Sequence, residues 1–208
     1  MGTLIKIALG TGGVVGIGGG GVLAYKMIQS SEVSIKELFS KEKTKVLLKL
    51  DGDSEAWSAN WKSYKTNDPW GLKKGNGDTV PTEFKNKCTS LLEEKVTDSK
   101  AKLYSEFLSY CSRGKTITDK LSSEGRVLVK DNEDSSFWTG KFDEYKSTTN
   151  QKKLPNIDIG SSEQHSQSTS LDKLKNGCKV ATQKLVTDSE YLNAFENIKY
   201  FCTKESNG

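Results

Sequence analysis

The chain has 208 residues, a net charge of +4 and an apolar fraction of only 34%, with a mean hydropathy of −0.61. Lysines and acids alternate along it (Lys41-Glu-Lys43, Glu93-Glu-Lys95), and only Arg113 and Arg126 are arginine. No basic face is built, so nucleic acid is excluded from the expected partners, while the clustered, periodic apolar residues separate the chain from disordered sequences.

Residues 1–30 read as a glycine-rich signal-anchor. Residues 7–25 are 19 positions without a charge, eight of them glycine, flanked by Lys6 and Lys26. As a helix this stretch spans roughly 28 Å, close to the hydrocarbon thickness of a bilayer. Ala8, Gly12, Gly16, Gly20 and Ala24 stand four apart, a small-residue ridge of the kind that lets two membrane helices approach and self-associate. Gly16-Ile-Gly18-Gly-Gly-Gly21 matches a dinucleotide-binding string, but no βαβ unit surrounds it. A cleaved signal peptide is the alternative, and residues 25–30 offer no good small-x-small site for it. The flanking charges do not set the orientation. Long domains translocate regardless of charge, and the cysteines argue for export, so the expectation is a single-pass membrane protein with its C-terminal domain outside the cell.

The rest of the chain states one pattern twice. Trp57-Ser-Ala-Asn-Trp61-Lys-Ser-Tyr64-Lys65 returns as Trp138-Thr-Gly-Lys-Phe142-Asp-Glu-Tyr145-Lys146, and Val96-Thr-Asp-Ser99 returns verbatim as Val186-Thr-Asp-Ser189. A duplication that keeps aromatics and cysteines while its surface drifts preserves a core. The expected fold is therefore mainly α: two tandem homologous helical units, 31–114 and 115–208, behind the N-terminal segment. At this size each unit is near the lower limit for one core, so a staple is useful.

In chain order, Ser34-Ile-Lys-Glu37 opens the first unit as a capping box, and Thr116-Ile-Thr-Asp119 opens the second as a weaker relative. A short helix follows, carrying Leu38 or Leu121. Residues 46–50 and 127–131 permit one short strand in each unit. Asp53-Ser54 and Asp134-Ser135 are N-cap candidates for the next helix. There Trp57, Trp61 and Tyr64, like Trp138, Phe142 and Tyr145, are spaced i, i+4, i+7 and predict one buried helical face. The connections after it, about 66–81 and 147–170, diverge most. The second is rich in Ser and Gln and reads as mobile and exposed, and variable loops on a rigid scaffold are where recognition sits. Two more helices are predicted in each unit, at about 82–95 and 98–111 and at about 170–185 and 188–202. The Val-Thr-Asp-Ser break lies between them, with Thr187-Asp-Ser-Glu190 as a full capping box.

Four cysteines allow three pairings. A unit that existed before it was copied must have paired internally, which selects Cys88 with Cys111 and Cys178 with Cys202. Each bridge would stabilise by roughly 3 kcal/mol in the chain-entropy model. The alternative is four buried thiols in a reducing compartment. No catalytic, cofactor-binding or metal-ligating set is expected. The single histidine, His165, lies in the Ser/Gln-rich stretch, so His-based triads and acid–base mechanisms lose their base, and no CxxC pair supports zinc.

The glycine-rich N-terminus, Trp-x-x-x-Trp-Lys-x-Tyr-Lys, the Ile-Thr-Asp-Lys-Leu-Ser-Ser-Glu-Gly-Arg segment and the terminal Tyr-Cys-Ser-Arg and Phe-Cys-Thr-Lys together resemble the paralogous families of uncharacterised membrane-anchored proteins of haemotropic mycoplasmas. The resemblance covers nearly the whole chain. It implies a wall-less, AT-rich bacterium living on red cells, which the lysine bias fits, and a role in surface variation; it supplies no catalytic residues. The first functional expectation is a non-enzymatic surface protein that meets host-cell molecules or antibody. The second is a structural membrane protein that self-associates through its glycine ridge.

Overall fold

The computed structural model describes residues 32–73, 77–132, 134–149 and 152–206. The apolar stretch 7–25, with Ala8, Gly12, Gly16, Gly20 and Ala24, lies outside them. Among the described residues no helix is long and apolar enough to cross a membrane.

Nine helices and six very short strands make the described chain mainly α. The first unit runs β1 (Val33–Ser34), α1 (Ile35–Ser40), β2 (Lys45–Leu47), α2 (Ser54–Asn67), α3 (Thr82–Leu91), β3 (Lys95–Val96), α4 (Lys102–Tyr110) and β4 (Ser112–Gly114). The second runs α5 (Ile117–Ser123), β5 (Arg126–Leu128), α6 (Ser135–Ser147), α7 (Ser168–Gln183), α8 (Ser189–Asn193), α9 (Phe195–Cys202) and β6 (Thr203–Glu205).

Each unit ties its chain in two places. Antiparallel β1 and β3 pair Val33 with Val96 and Ser34 with Lys95; the second unit keeps this as a single bridge, Thr116 with Leu185. Antiparallel β2 and β4 pair Val46 with Arg113, and β5 and β6 pair Val127 with Lys204. The ladders end alike: Leu48 N–H donates to Cys111 O at 3.1 Å, and Val129 N–H to Cys202 O at 3.0 Å. Strand pairing thus brings each closing cysteine back beside the helix that carries its partner. The bridges are Cys88–Cys111 and Cys178–Cys202, with Cα atoms 5.3 Å and 5.4 Å apart.

Two cores result. One gathers Ile35, Trp57, Trp61, Tyr64, Phe84, Leu91 and Phe107; the other gathers Ile117, Leu121, Trp138, Phe142, Tyr145, Leu174, Ile198 and Phe201. The repeated aromatics are all buried. The indole N–H of Trp57 donates to Lys49 O at 2.9 Å and that of Trp138 to Lys130 O at 3.1 Å, so each tryptophan pins the strand-to-helix connection onto its helix.

Where one short strand per unit was expected, the first unit has four and the second two among the described residues, and helix bounds and caps depart from the sequence reading in four further places. First, the helix expected over 82–95 ends at Leu91, because Lys95 and Val96 pair with β1. The next helix then starts at Lys102 rather than at 98. Second, the helix expected over 188–202 is split at Ala194 into α8 and α9, and Asp188 rather than Thr187 caps it, accepting from Glu190 N–H. Third, the capping boxes are reversed: Ser34 accepts from Glu37 N–H, but the reciprocal box closes at Thr116 and Asp119. Fourth, Asp134 caps its helix through Phe137 N–H, whereas Asp53 is left-handed (φ 51°) and makes no side-chain cap.

Asp53 is diverted to the junction of the two units. Its carboxylate accepts from Lys49 N–H at 2.9 Å and from the Arg113 Nε–H at 2.8 Å. The same guanidinium makes a bidentate bond to Asp119, at 2.6 Å and 3.0 Å. Arg113 thereby links the first turn of the second unit to the helix start of the first. Beside it, a Cβ on Gly114 would stand 2.7 Å from the end of the Leu185 side chain, so β4 approaches the second unit closely there.

Candidate interaction surface

The divergent connections hang from equivalent tyrosines. In unit 1 the Tyr64 hydroxyl accepts from Trp70 N–H at 3.1 Å and Leu72 N–H at 3.3 Å, and Asp68 Oδ1 accepts from Leu72 and Lys73 N–H. Burial, reinforced by the hydrogen bond to Asp68, pushes the Tyr64 phenol up to about 12. Trp70 folds back over Tyr64 and donates to Glu106 Oε2 at 2.9 Å.

In unit 2 the Tyr145 hydroxyl accepts from Leu154 N–H at 2.9 Å and donates to Ile157 O at 3.0 Å. Burial raises its phenol as well. One tyrosine therefore organises two unrelated loops, since a buried hydroxyl satisfies whatever backbone passes over it.

The loop of unit 2 is exposed over most of 160–169, as its composition suggests, but its first part is not free. Leu154, Ile157 and Ile159 are buried in the unit 2 core. Three aliphatics within six residues of a polar stretch were the available signal, and the surrounding Ser and Gln masked it. Asn156 takes a left-handed backbone (φ 59°) and donates from Nδ2 to the Tyr191 hydroxyl at 3.1 Å. A side chain at Gly177 would collide with Ile157; unit 1 has Lys87 at the equivalent place.

Further along, Glu163 accepts from Lys173 at 2.8 Å and from Gly160 N–H at 2.9 Å, while its backbone carbonyl accepts from Lys146 at 3.1 Å. The Lys173 ammonium first, then the Gly160 N–H, hold its carboxyl down at about 2. His165 Nδ1 lies 3.0 Å from Asp143 Oδ1. The loop is thus fastened at both ends and in the middle, and it presents Ser161, Ser162, Gln164 and Ser166 outward.

Between this loop and α7 lies an open depression of about 450 Å³, bordered by Asn156, Asp158, Lys173, Asn176 and Val180. Val180 is 48% exposed. Side-chain amides, one carboxylate, one ammonium and an exposed aliphatic suit hydrogen bonding and apolar contact. Among the described residues no three His, Cys, Asp or Glu side chains gather where they could hold a metal ion. No protein-family model matches the chain, and neither the curated proteins nor the solved structures searched contain a match to it.

Proposed function

We propose that this chain is a membrane-anchored, non-enzymatic surface protein whose two disulfide-stapled units display divergent loops to molecules outside the cell. The observation that carries this reading is the contrast between the two loops. Scaffold contacts repeat residue for residue (the bridges, the indole-to-carbonyl bonds, the tyrosine anchors), yet the segments held by Tyr64 and Tyr145 share neither length nor contacts. A scaffold that tolerates unrelated loops is how recognition surfaces are varied without loss of fold. Disulfides persist in oxidising surroundings, which supports display outside the cell, and the resemblance to surface-variation families of blood-borne mycoplasmas points to host-cell molecules or antibody as partners.

Protease treatment of intact cells tests the location. Survival of residues 31–208 under conditions that destroy a known surface protein would refute it. Recognition is tested by substitution rather than by deleting 160–170, because Ser170 is buried and Glu163 fastens the segment. Replacing Ser161, Ser162, Gln164 and Ser166 by Lys should abolish binding to red cells or to antisera while leaving unfolding unchanged. Undiminished binding removes this loop from the interface. The structural alternative, self-association through the glycine ridge, makes the opposite forecast: the loop substitutions are silent, and Gly16→Leu dissociates the oligomer in detergent.

A further inference from the structure

Unit 1 carries an apolar surface feature whose wall residues differ at the equivalent positions of unit 2. A cleft of about 390 Å³ opens between the end of β2 and α3, walled by Leu47, Leu50, Trp57 and Leu92, with Cys88 at its base. Leu47 is 37% exposed and Leu50 51%. At the same place on unit 2, Leu50 is replaced by Asp131, Thr89 by Lys179 and Leu92 by Thr182. The two units share their core chemistry and differ here in surface chemistry. Contiguous exposed apolar surface rimmed by polar groups marks a contact site.

The position and rim of the cleft indicate what covers it. The chain enters unit 1 beside it: Lys36 N–H donates to Leu92 O and Ile35 N–H to Glu94 O, both at 2.9 Å. Seven residues, 26–32, separate the uncharged stretch 7–25 from β1, and seven residues reach at most about 25 Å. A surface next to that entry point is therefore held within reach of whatever holds the stretch. Lysines line the rim. Lys85 Nζ is 3.2 Å from Leu50 O and 5.5 Å from the Trp57 ring centre, Lys49 forms part of the wall, and Lys36 sits opposite Glu93 at 3.7 Å. Asp51 and Glu93 are also exposed there. Lysine stems lie along apolar surface and carry their ammonium groups outward. Leucines framed by such lysines match the acyl boundary and the phosphate layer of a membrane surface.

We propose that this cleft seats unit 1 on the lipid surface in which the N-terminal segment is anchored. Leu47 and Leu50 enter the acyl boundary, and Lys49 and Lys85 meet lipid phosphates. The proposal rests on the membrane-anchored reading above. It makes unit 1 the foot of the molecule and leaves the loop of unit 2 for recognition.

The test uses the full chain reconstituted in vesicles of phosphatidylcholine and phosphatidylserine, with and without brominated acyl chains. Bromine quenches tryptophan fluorescence on close approach, and Trp57 lines the cleft. Brominated lipid should quench part of the emission. The double variant Leu50→Asp, Thr89→Lys, which installs the residues unit 2 already accommodates, should lose that quenching while its circular dichroism and disulfides stay unchanged. A chain that floats with vesicles but shows no quenching, or equal quenching in the variant, overturns the seating and leaves the anchor intact. A chain that does not float overturns both. If the amides of residues 49–51 are protected in proportion to protein density rather than to lipid, the occupant is a second copy, and the lipid proposal is wrong.

Discussion

Unit 1 holds Asp53 away from the helix it precedes, whereas unit 2 lets the equivalent Asp134 cap that helix. Trp61 of unit 1 is Phe142 in unit 2, and Leu50 is Asp131. These differences sort by position. The core changes least, because interior volume is constrained. The inter-unit seam changes one role: Arg113 joins the two units, and its counterpart Lys204 lies in the last strand of the second. The loops and the cleft change freely, because only their fastening points are fixed. The duplication thus separates what the fold requires from what each unit does with its surface.

The comparison predicts its largest effect where the units agree. Trp57→Ala and Trp138→Ala should each cost about 3–5 kcal/mol, the range for emptying a core site of this size, as read by urea unfolding. Both indoles are almost fully buried and donate to a backbone carbonyl, so the two losses should be similar. A loss below about 1 kcal/mol in either unit would show that its tryptophan is not a core residue.

Next in size are the bridges. Their sequence separations are 23 and 24 residues. Replacing both cysteines of one bridge by Ala should therefore cost about 3 kcal/mol in the chain-entropy model, whichever bridge is removed. Thermal unfolding of the two double variants measures this, and widely unequal losses would mean that one unit leans on the other. Peptide mapping that found Cys88 joined to Cys178 would refute self-contained units.

These two expectations were legible in the sequence, since spacing and duplication alone locate buried aromatics and pair the cysteines. Much else was not. Two-residue strands such as β1 and β3 carry no periodic signal; their pairing is decided by tertiary packing across some 60 residues. The diversion of Asp53 could not be read locally either, because its partner Arg113 is 60 positions away. The first part of the unit 2 loop was misjudged for another reason. Its average composition is polar, but Leu154, Ile157 and Ile159 decide its fate, and three aliphatics suffice to fix a segment. The open depression beside that loop depends on Gly177 admitting Ile157, a steric fit that spacing cannot show.

A smaller effect tests the seam. Burial pushes the Asp119 carboxyl up, but the Arg113 guanidinium and the Thr116 N–H and hydroxyl outweigh it and bring it to about 2. A carboxylate depressed in the folded state contributes stability that is present above its unfolded value and lost as pH falls through the folded one. The contribution should therefore fade between about pH 4 and pH 2. With Arg113 and Asp119 partly exposed, at 24% and 19%, it should amount to about 1–2 kcal/mol after solvent screening. Arg113→Met should lose that amount at neutral pH and show a flatter acid limb than wild type. An unchanged acid limb would mean the guanidinium does not hold the units together.

The smallest expected change is the sharpest comparison. Trp61 Nε1 is buried without a hydrogen-bond partner, while Trp57 Nε1, one helical turn earlier, donates to Lys49 O. Leaving a buried donor unsatisfied costs about 1–3 kcal/mol, and shrinking a core side chain costs an amount of the same order. In Trp61→Phe the two terms oppose: the orphan N–H disappears as some packing against Tyr64 and Phe84 is lost. The net change should lie within about 1 kcal/mol of zero, in keeping with Phe142 at the same place in unit 2. In Trp57→Phe the terms add, because the Lys49 carbonyl loses its donor as volume is lost, and the cost should reach about 2–3 kcal/mol. The two variants remove the same atoms from the same helix face, so the difference between them isolates the hydrogen bond. Equal losses in urea unfolding would show that Trp61 N–H is satisfied in solution, by water or by movement of the ring, and that unit 1 carries no polar defect that unit 2 has shed.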